Sequence, residues 1–289
     1  MTLHELLVEP WQQGAWMWRG MSAGLLAALP CAWVGIHLYL RRMSLLSDAL
    51  AHVALPGIVI AFMLSDSLAA PVMALGALGS GLLTGTLVEA LERRRVRSDA
   101  AVGVVFTSMF ALGVVLLSVF VRSAHIDTQC VLFGNILGVS DGSLRLLGAS
   151  ALLVAATLLV LHRVFTATSF DAQAAPVLGL NVRRVRLLLS CLAALVATAG
   201  FEAVGSVLIV ALLVLPAATA HRVASTMRGM FAVATAVAAL STVVGMYLGA
   251  WLDVSPTGAI VLSGAAMYLA TFVPRTRSPN LRHAAPQAG

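Results

Sequence analysis

Lysine is missing from this chain altogether, and charge of either sign is scarce. The 18 basic residues are all arginine, and with 12 acidic ones only 10% of the 289 residues are charged. A soluble domain carries about 25%. With 60% hydrophobic residues and a mean hydropathy of +0.96, a polytopic membrane protein is expected and a separate soluble domain has no room. Nothing resembles a nucleic-acid surface, which needs basic residues on one soluble face with aromatics interleaved. The three cysteines, Cys31, Cys130 and Cys191, lie in separate segments without CxxC spacing, so they are expected to be packing residues rather than a disulfide framework or thiolate metal site. No GxxxxGK[S/T] phosphate loop occurs, so ATP hydrolysis is not expected of this chain. His4-Glu5 does not open a zincin motif, because Val8 stands where the second histidine belongs. The start, Met1 to Pro10, is acidic and lacks the basic region of a signal peptide.

What the chain does have is apolar runs of membrane length. The roughly 20-residue criterion predicts spans at 16–40, 45–64, 68–91, 99–121, 143–163, 186–200, 203–220, 227–251 and 257–274. The sixth and seventh run together through Gly200 to Gly205, so eight spans is the alternative to nine. Residues 1–15, with Leu3, Leu6, Leu7 and Trp11 at helical spacing, are expected to lie in the interface, with Trp16 and Trp18 at headgroup level. Arginines gather at run ends: Arg41 and Arg42, Arg93 to Arg97, Arg183 to Arg186, Arg222 to Arg228, and Arg275 to Arg282. Placing these loops inside is self-consistent; it makes residues 275–289 a cytoplasmic tail, and 122–142 external. Gly20-x-x-x-Gly24, Gly81-x-x-x-Gly85, Gly134-x-x-x-Gly138 and Gly245-x-x-x-Gly249 allow close helix approach, more often within one subunit than across a dimer seam.

One apolar run carries an acid and an imidazole. Asp48 and His52, four residues apart, fall on one face of a helix, about 5–6 Å apart at Cβ and close enough to share a cation. An acid at the centre of a membrane helix costs roughly 2.5–3.5 kcal/mol, so it normally faces a cavity, partner or cargo. Pro56, with Gly57 beside it, is expected to kink or end that helix, and the depth of Asp48 depends on whether the helix is tilted or broken. Carboxylate and imidazole together suit Zn(II), Mn(II) or Fe(II), while the absence of clustered Cys or Met argues against Cu(I). The plainer alternative is a hydrogen-bonded polar pair that locks helix packing.

The stretch from Arg41 through Ser44, Asp48 and His52 to Leu55-Pro56-Gly57 resembles the signature of the membrane permease subunit of bacterial ABC importers for divalent transition metals, the zinc, manganese and iron family. Leu132-Phe133-Gly134-Asn135-Ile136-Leu137-Gly138-Val139-Ser140 and Val204-Gly205 through Leu215-Pro216-Ala217-Ala218-Thr219-Ala220 resemble two further motifs of that family, in the same order. The resemblance spans about residues 16–274. It implies a compact all-α permease bundle acting as a homodimer in the bacterial inner membrane, two cytoplasmic ATP-binding subunits and an extracytoplasmic metal-binding protein. It also implies that Asp48 and His52 line the metal path; two ligands per subunit would become four in a symmetric pair, suited to transient capture. The chain would hold no cofactor of its own.

Within the segment 164–186, Phe170, Asp171, Ala175 and Gly179 resemble the family's ATPase-coupling helix, with Pro176 a departure from an unbroken helix. His125 and Asp127, with Cys130, precede the Phe133-Gly134 loop on the expected outer side; they are candidates to meet an incoming ion, against the commoner reading as solvated loop residues. Glu202 is read as a turn residue and His221, beside Arg222, as an interfacial cation partner. The competing class is a proton-coupled carrier or channel relaying protons through Asp48, His52 and Glu202 without an ATPase, which an inverted repeat of broken helices would favour and which is not found. An intramembrane hydrolase finds no Ser-His, paired-Asp or metal motif. The residues leave open which metal is carried, the resting conformation and the coupling stoichiometry.

Overall fold

A computed structural model describes residues 15–65, 70–120, 136–170 and 175–272; among them all regular structure is helical. The helices are α1 (Ala15–Leu40), α2 (Ser44–Ser65), α3 (Ala70–Arg93), α4 (Ser98–Phe120), α5 (Asp141–Val160), α6 (His162–Phe170), α7 (Val182–Val204), α8 (Ser206–Val223), α9 (Met227–Leu252) and α10 (Pro256–Ala270), with 3-10 turns at Ile136–Gly138 and Ala175–Leu178. Seven are long and apolar enough to cross a membrane, and His52–Ser65 and Pro256–Ala270 are shorter apolar helices.

Burial ranks the helices. The most apolar window of α1 is 67% buried, against 28% for α4 and for α5, so α1 is the axis and α4 and α5 form the rim. α1 packs against α7, α8, α9 and α5, while α2, α3 and α4 pack as a second group joined to it through α2 and α7. Cys31 is fully buried in that axis, as expected of a packing residue, and Cys191 is partly buried; neither is in a disulfide. Gly20, Gly24, Gly245 and Gly249 all face other helices or turns of the same chain, the subunit-internal alternative for these spacings.

The helix ends sort onto two faces. Arg41 meets Thr168 and Ser169, Arg183 meets Glu89, Arg186 meets Glu92, and Arg222 meets Thr271, all at one end of the bundle. At the other end Arg19 meets Asp141, and Gly20 lies against the Ile136 carbonyl. Trp18 is exposed at this second end while Trp16 packs partly against the core, so the two do not share one environment.

Two expectations are corrected. Pro56 does not end its helix: α2 runs on to Ser65. Neighbours accommodate it, since Gly113 of α4 leaves room for the Pro56 ring and the Ser80 hydroxyl of α3 donates to the Val53 carbonyl at 2.7 Å. Membrane helices tolerate an internal proline on such terms. Gly57 and Gly76 face each other so closely that a Cβ on either would strike the other's carbonyl. Glu202, in turn, is not in a turn: it belongs to the last turn of α7, and the break falls at Gly205, whose φ of 86° suits glycine. A Cβ on Gly200 would strike the side chain of Ile209, a residue that a straight helix would place about 13 Å further along. α7 and α8 therefore fold back on each other as two helices.

Candidate metal path

α2 carries one acid and one imidazole among 22 residues otherwise without charge. With a rise of about 1.5 Å per residue, Asp48 stands about 6 Å and His52 about 12 Å from the start of α2, at the arginine-bearing end. Asp48 is therefore just beyond the first turn of α2, rather than at mid-span. Of Asp48 the helix position alone is described. His52 is half-buried; its ring lies 5.9 Å from Phe106 and 6.0 Å from Phe110 of α4, which stack on each other at 6.1 Å. Phe110 is 39% exposed, so the imidazole lies near the rim of one subunit rather than at its axis. Neither phenylalanine was singled out from sequence, although their spacing of four places them on one face of α4.

Among the described residues no three His, Cys, Asp or Glu side chains gather to hold a metal. His125, Asp127 and Cys130 lie outside the described residues, as does Asp171, and nothing is described of the side chains of Phe170 and Glu202. Ala175 is buried in the 3-10 turn Ala175–Leu178, Pro176 falls in the first turn of that element where proline is comfortable, and Gly179 has φ 73°. Phe170 closes α6. The described part of the segment thus holds the end of a short helix, a 3-10 turn and the start of α7. His221 is exposed in the last turn of α8, its ring 5.3 Å from Tyr39, while the Arg222 guanidinium lies 3.7 Å over the Phe272 ring.

A polar network links this segment to the start of α2. Arg41, in the turn between α1 and α2, donates to Ser169 at 3.3 Å and to Thr168, both in α6. His37 Nδ1 lies 3.1 Å from the same Ser169 oxygen, and its ring packs between Phe165 and Phe231. Burial first, and the charge of Arg186 second, lower the Arg41 pKa to about 10, which leaves it charged at neutral pH. Arg42 closes α1 in the left-handed region, with the Met43 N–H donating to the Leu38 carbonyl at 2.9 Å, so α2 begins at once after a tight turn. Beside this network Glu89 pairs with Arg183 at 2.6 Å and with Arg93 at 3.1 Å, and Glu92 with Arg186, tying α3 to α7. Sequence reasoning named none of these pairings, because the partners lie up to 128 residues apart.

An all-helical bundle sorted into two faces, with a ligand-type pair on one half-exposed helix, defines a multi-pass membrane transport subunit. Residues 13–275 match the ABC 3 transport family, and the chain belongs to that family. It is 37% identical over 271 residues to the manganese transport system membrane protein MntD of Bacillus subtilis (strain 168), covering 90% of this chain and 91% of that one. Similarity to the chelated iron transport system membrane protein YfeD of Yersinia pestis is 33% over 276 residues, covering 94% and 89%. In three dimensions it resembles PsaBC from Streptococcus pneumoniae in complex with Fab, with a TM-score of 0.82, 29% identity and coverage of 94% and 95%. The chain is accordingly a transporter permease subunit.

Proposed function

We propose that this permease carries Mn(II) or Fe(II) into the cell across the bacterial inner membrane, with ATP hydrolysed by separate cytoplasmic subunits. The names of its relatives favour manganese and iron and give zinc less direct support. The observation that carries the reading is the Asp48 and His52 pair, one helical turn apart on an otherwise uncharged helix, with the imidazole close to the rim. Two ligands hold a divalent ion weakly; the same pair from a second copy would complete a four-ligand site that captures and releases. A homodimer served by an extracytoplasmic metal-binding protein fits that arithmetic. His125 and Asp127 remain candidates for the first contact on the outer side.

The whole chain acts as one membrane domain in this reading, with 1–15 in the interface and 275–289 as a cytoplasmic tail. The segment 164–186, with Phe170, Asp171, Ala175 and Gly179, takes up movement of the ATP-binding subunits. Arg41 then passes it from α6 to the turn that precedes Asp48 and His52.

The test is uptake of labelled Mn(II), Fe(II) and Zn(II) by proteoliposomes that hold the permease, its ATP-binding subunit and its metal-binding protein. ATP-dependent uptake should fall at least about tenfold in Asp48→Asn and His52→Ala, the scale of loss on disturbing metal coordination, with both variants still assembled. Undiminished uptake would return the pair to a packing role. Uptake by the permease alone, driven by a proton gradient, would make it a secondary carrier.

A further inference from the structure

A second site lies away from α2. Between α1, α5 and α9, at the arginine-bearing end, a groove of about 420 Å³ is walled by Trp33, Ala155, Leu159 and Phe231, with His162 and Arg228 also lining it. The walls are apolar and open sideways: Leu159 is 77% exposed on rim helix α5. Trp33 is anchored by its indole N–H, which donates to Thr235 Oγ1 at 2.9 Å.

At the inner end of the groove stand the Arg228 guanidinium and the His162 imidazole. His162 opens α6, and Arg228 is the second residue of α9. Arg93, Arg183 and Arg186 spend their charge on carboxylates, whereas Arg228 has no carboxylate partner among the described residues. Thr226 caps the Gly229 N–H at 3.2 Å, and the N–H groups of Met227 and Arg228 have no acceptor within the helix. Positive charge at the level of the headgroups and an apolar trough running toward mid-membrane are the two halves of a phospholipid's complement.

We propose that this groove binds one anionic glycerophospholipid from the leaflet on the arginine-bearing side, its phosphate at Arg228 and His162 and an acyl chain along Trp33, Ala155, Leu159 and Phe231. An acyl chain gains little by leaving other acyl chains for the groove, so selection rests on the headgroup. Each basic group contributes a preference of about fivefold for an anionic over a zwitterionic lipid. The site is independent of the metal reading and would stand if that reading fell.

The experiment is native mass spectrometry of the full-length permease with equal amounts of phosphatidylglycerol and phosphatidylcholine. The wild type should retain phosphatidylglycerol about fivefold or more in excess. Arg228→Gln should lower that excess about fivefold, whereas Arg145→Gln, near the other end of α5, should leave it unchanged. Ala155→Phe fills the trough without altering charge and should reduce retention of both lipids while helicity and melting temperature hold; it keeps the test intact if Arg228→Gln is poorly folded. Equal retention of the two lipids by the wild type, or unchanged retention by folded Arg228→Gln and Ala155→Phe, would overturn the proposal. So would a rise in phosphatidylglycerol retention on removing residues 273–289, which would make the tail the groove's occupant.

Discussion

At Gly57 and Gly76 the decisive quantity is space. Lipid tails supply no hydrophobic drive for one apolar helix to leave them for another, so α2 and α3 hold together by close packing and hydrogen bonds. Gly57→Ala would drive a methyl into the Gly76 carbonyl, backbone that cannot swing aside. Overpacking of this kind costs about 1–3 kcal/mol. Ser80→Ala removes a hydrogen bond to the Val53 carbonyl, one residue from His52; such bonds average about 0.6 kcal/mol in a membrane protein. Reversible unfolding in mixed detergent should therefore rank Gly57→Ala as the more damaging. The reverse order would mean that the hydroxyl, rather than the glycine contact, secures the helix through Pro56. Phe106 and Phe110 both touch the His52 ring; if that ring meets the ion, replacing either with alanine should lower metal uptake while the melting temperature changes little.

Helices are where sequence reading succeeded and where it stopped. The runs predicted at 16–40, 99–121 and 227–251 correspond to α1, α4 and α9 to within about two residues at each end, because a span is announced locally by apolar length. That α2 continues past Pro56 was not legible, because the room for its ring comes from Gly113, which no local pattern ties to it. Asp48 and His52 were legible from their spacing of four, but not that His52 would meet two rings of α4. The tie from α6 to the α1–α2 turn was invisible, since Arg41 and Ser169 are 128 residues apart. That tie carries a prediction at this scale. Arg41→Gln keeps a donor for one hydroxyl but loses the charge and the forked reach to Thr168 and Ser169. If α6 drives α2 through Arg41, the variant complex should hydrolyse ATP at close to the normal rate while uptake per ATP falls several-fold. A matching fall in both rates would instead point to failed assembly, and unchanged coupling would assign Arg41 to structure alone.

For the molecule as a whole, the asymmetry of charge decides orientation. Arg41, Arg42, Arg93 to Arg97, Arg183 to Arg186, Arg222 and Arg228 gather at one face, against Arg19 and Arg145 near the other. The positive-inside rule turns that first face to the cytoplasm. The reversal of α7 and α8 at Gly205 fits nine crossings, for which Arg184 and Val223 lie on one side. Were 182–223 a single bent span, those two residues would lie on opposite sides. With Cys31, Cys130 and Cys191 replaced by serine, single cysteines at Arg95, Asp141, Arg184 and Val223, all exposed, can be challenged with an impermeant maleimide. Asp141→Cys should react in intact cells stripped of their outer membrane. Arg95→Cys, Arg184→Cys and Val223→Cys should react only in inverted vesicles. Labelling of Arg184→Cys and Val223→Cys from opposite sides would establish eight crossings, and a wholesale exchange of the two patterns would turn the permease over and bring the start of α2 to the outer face.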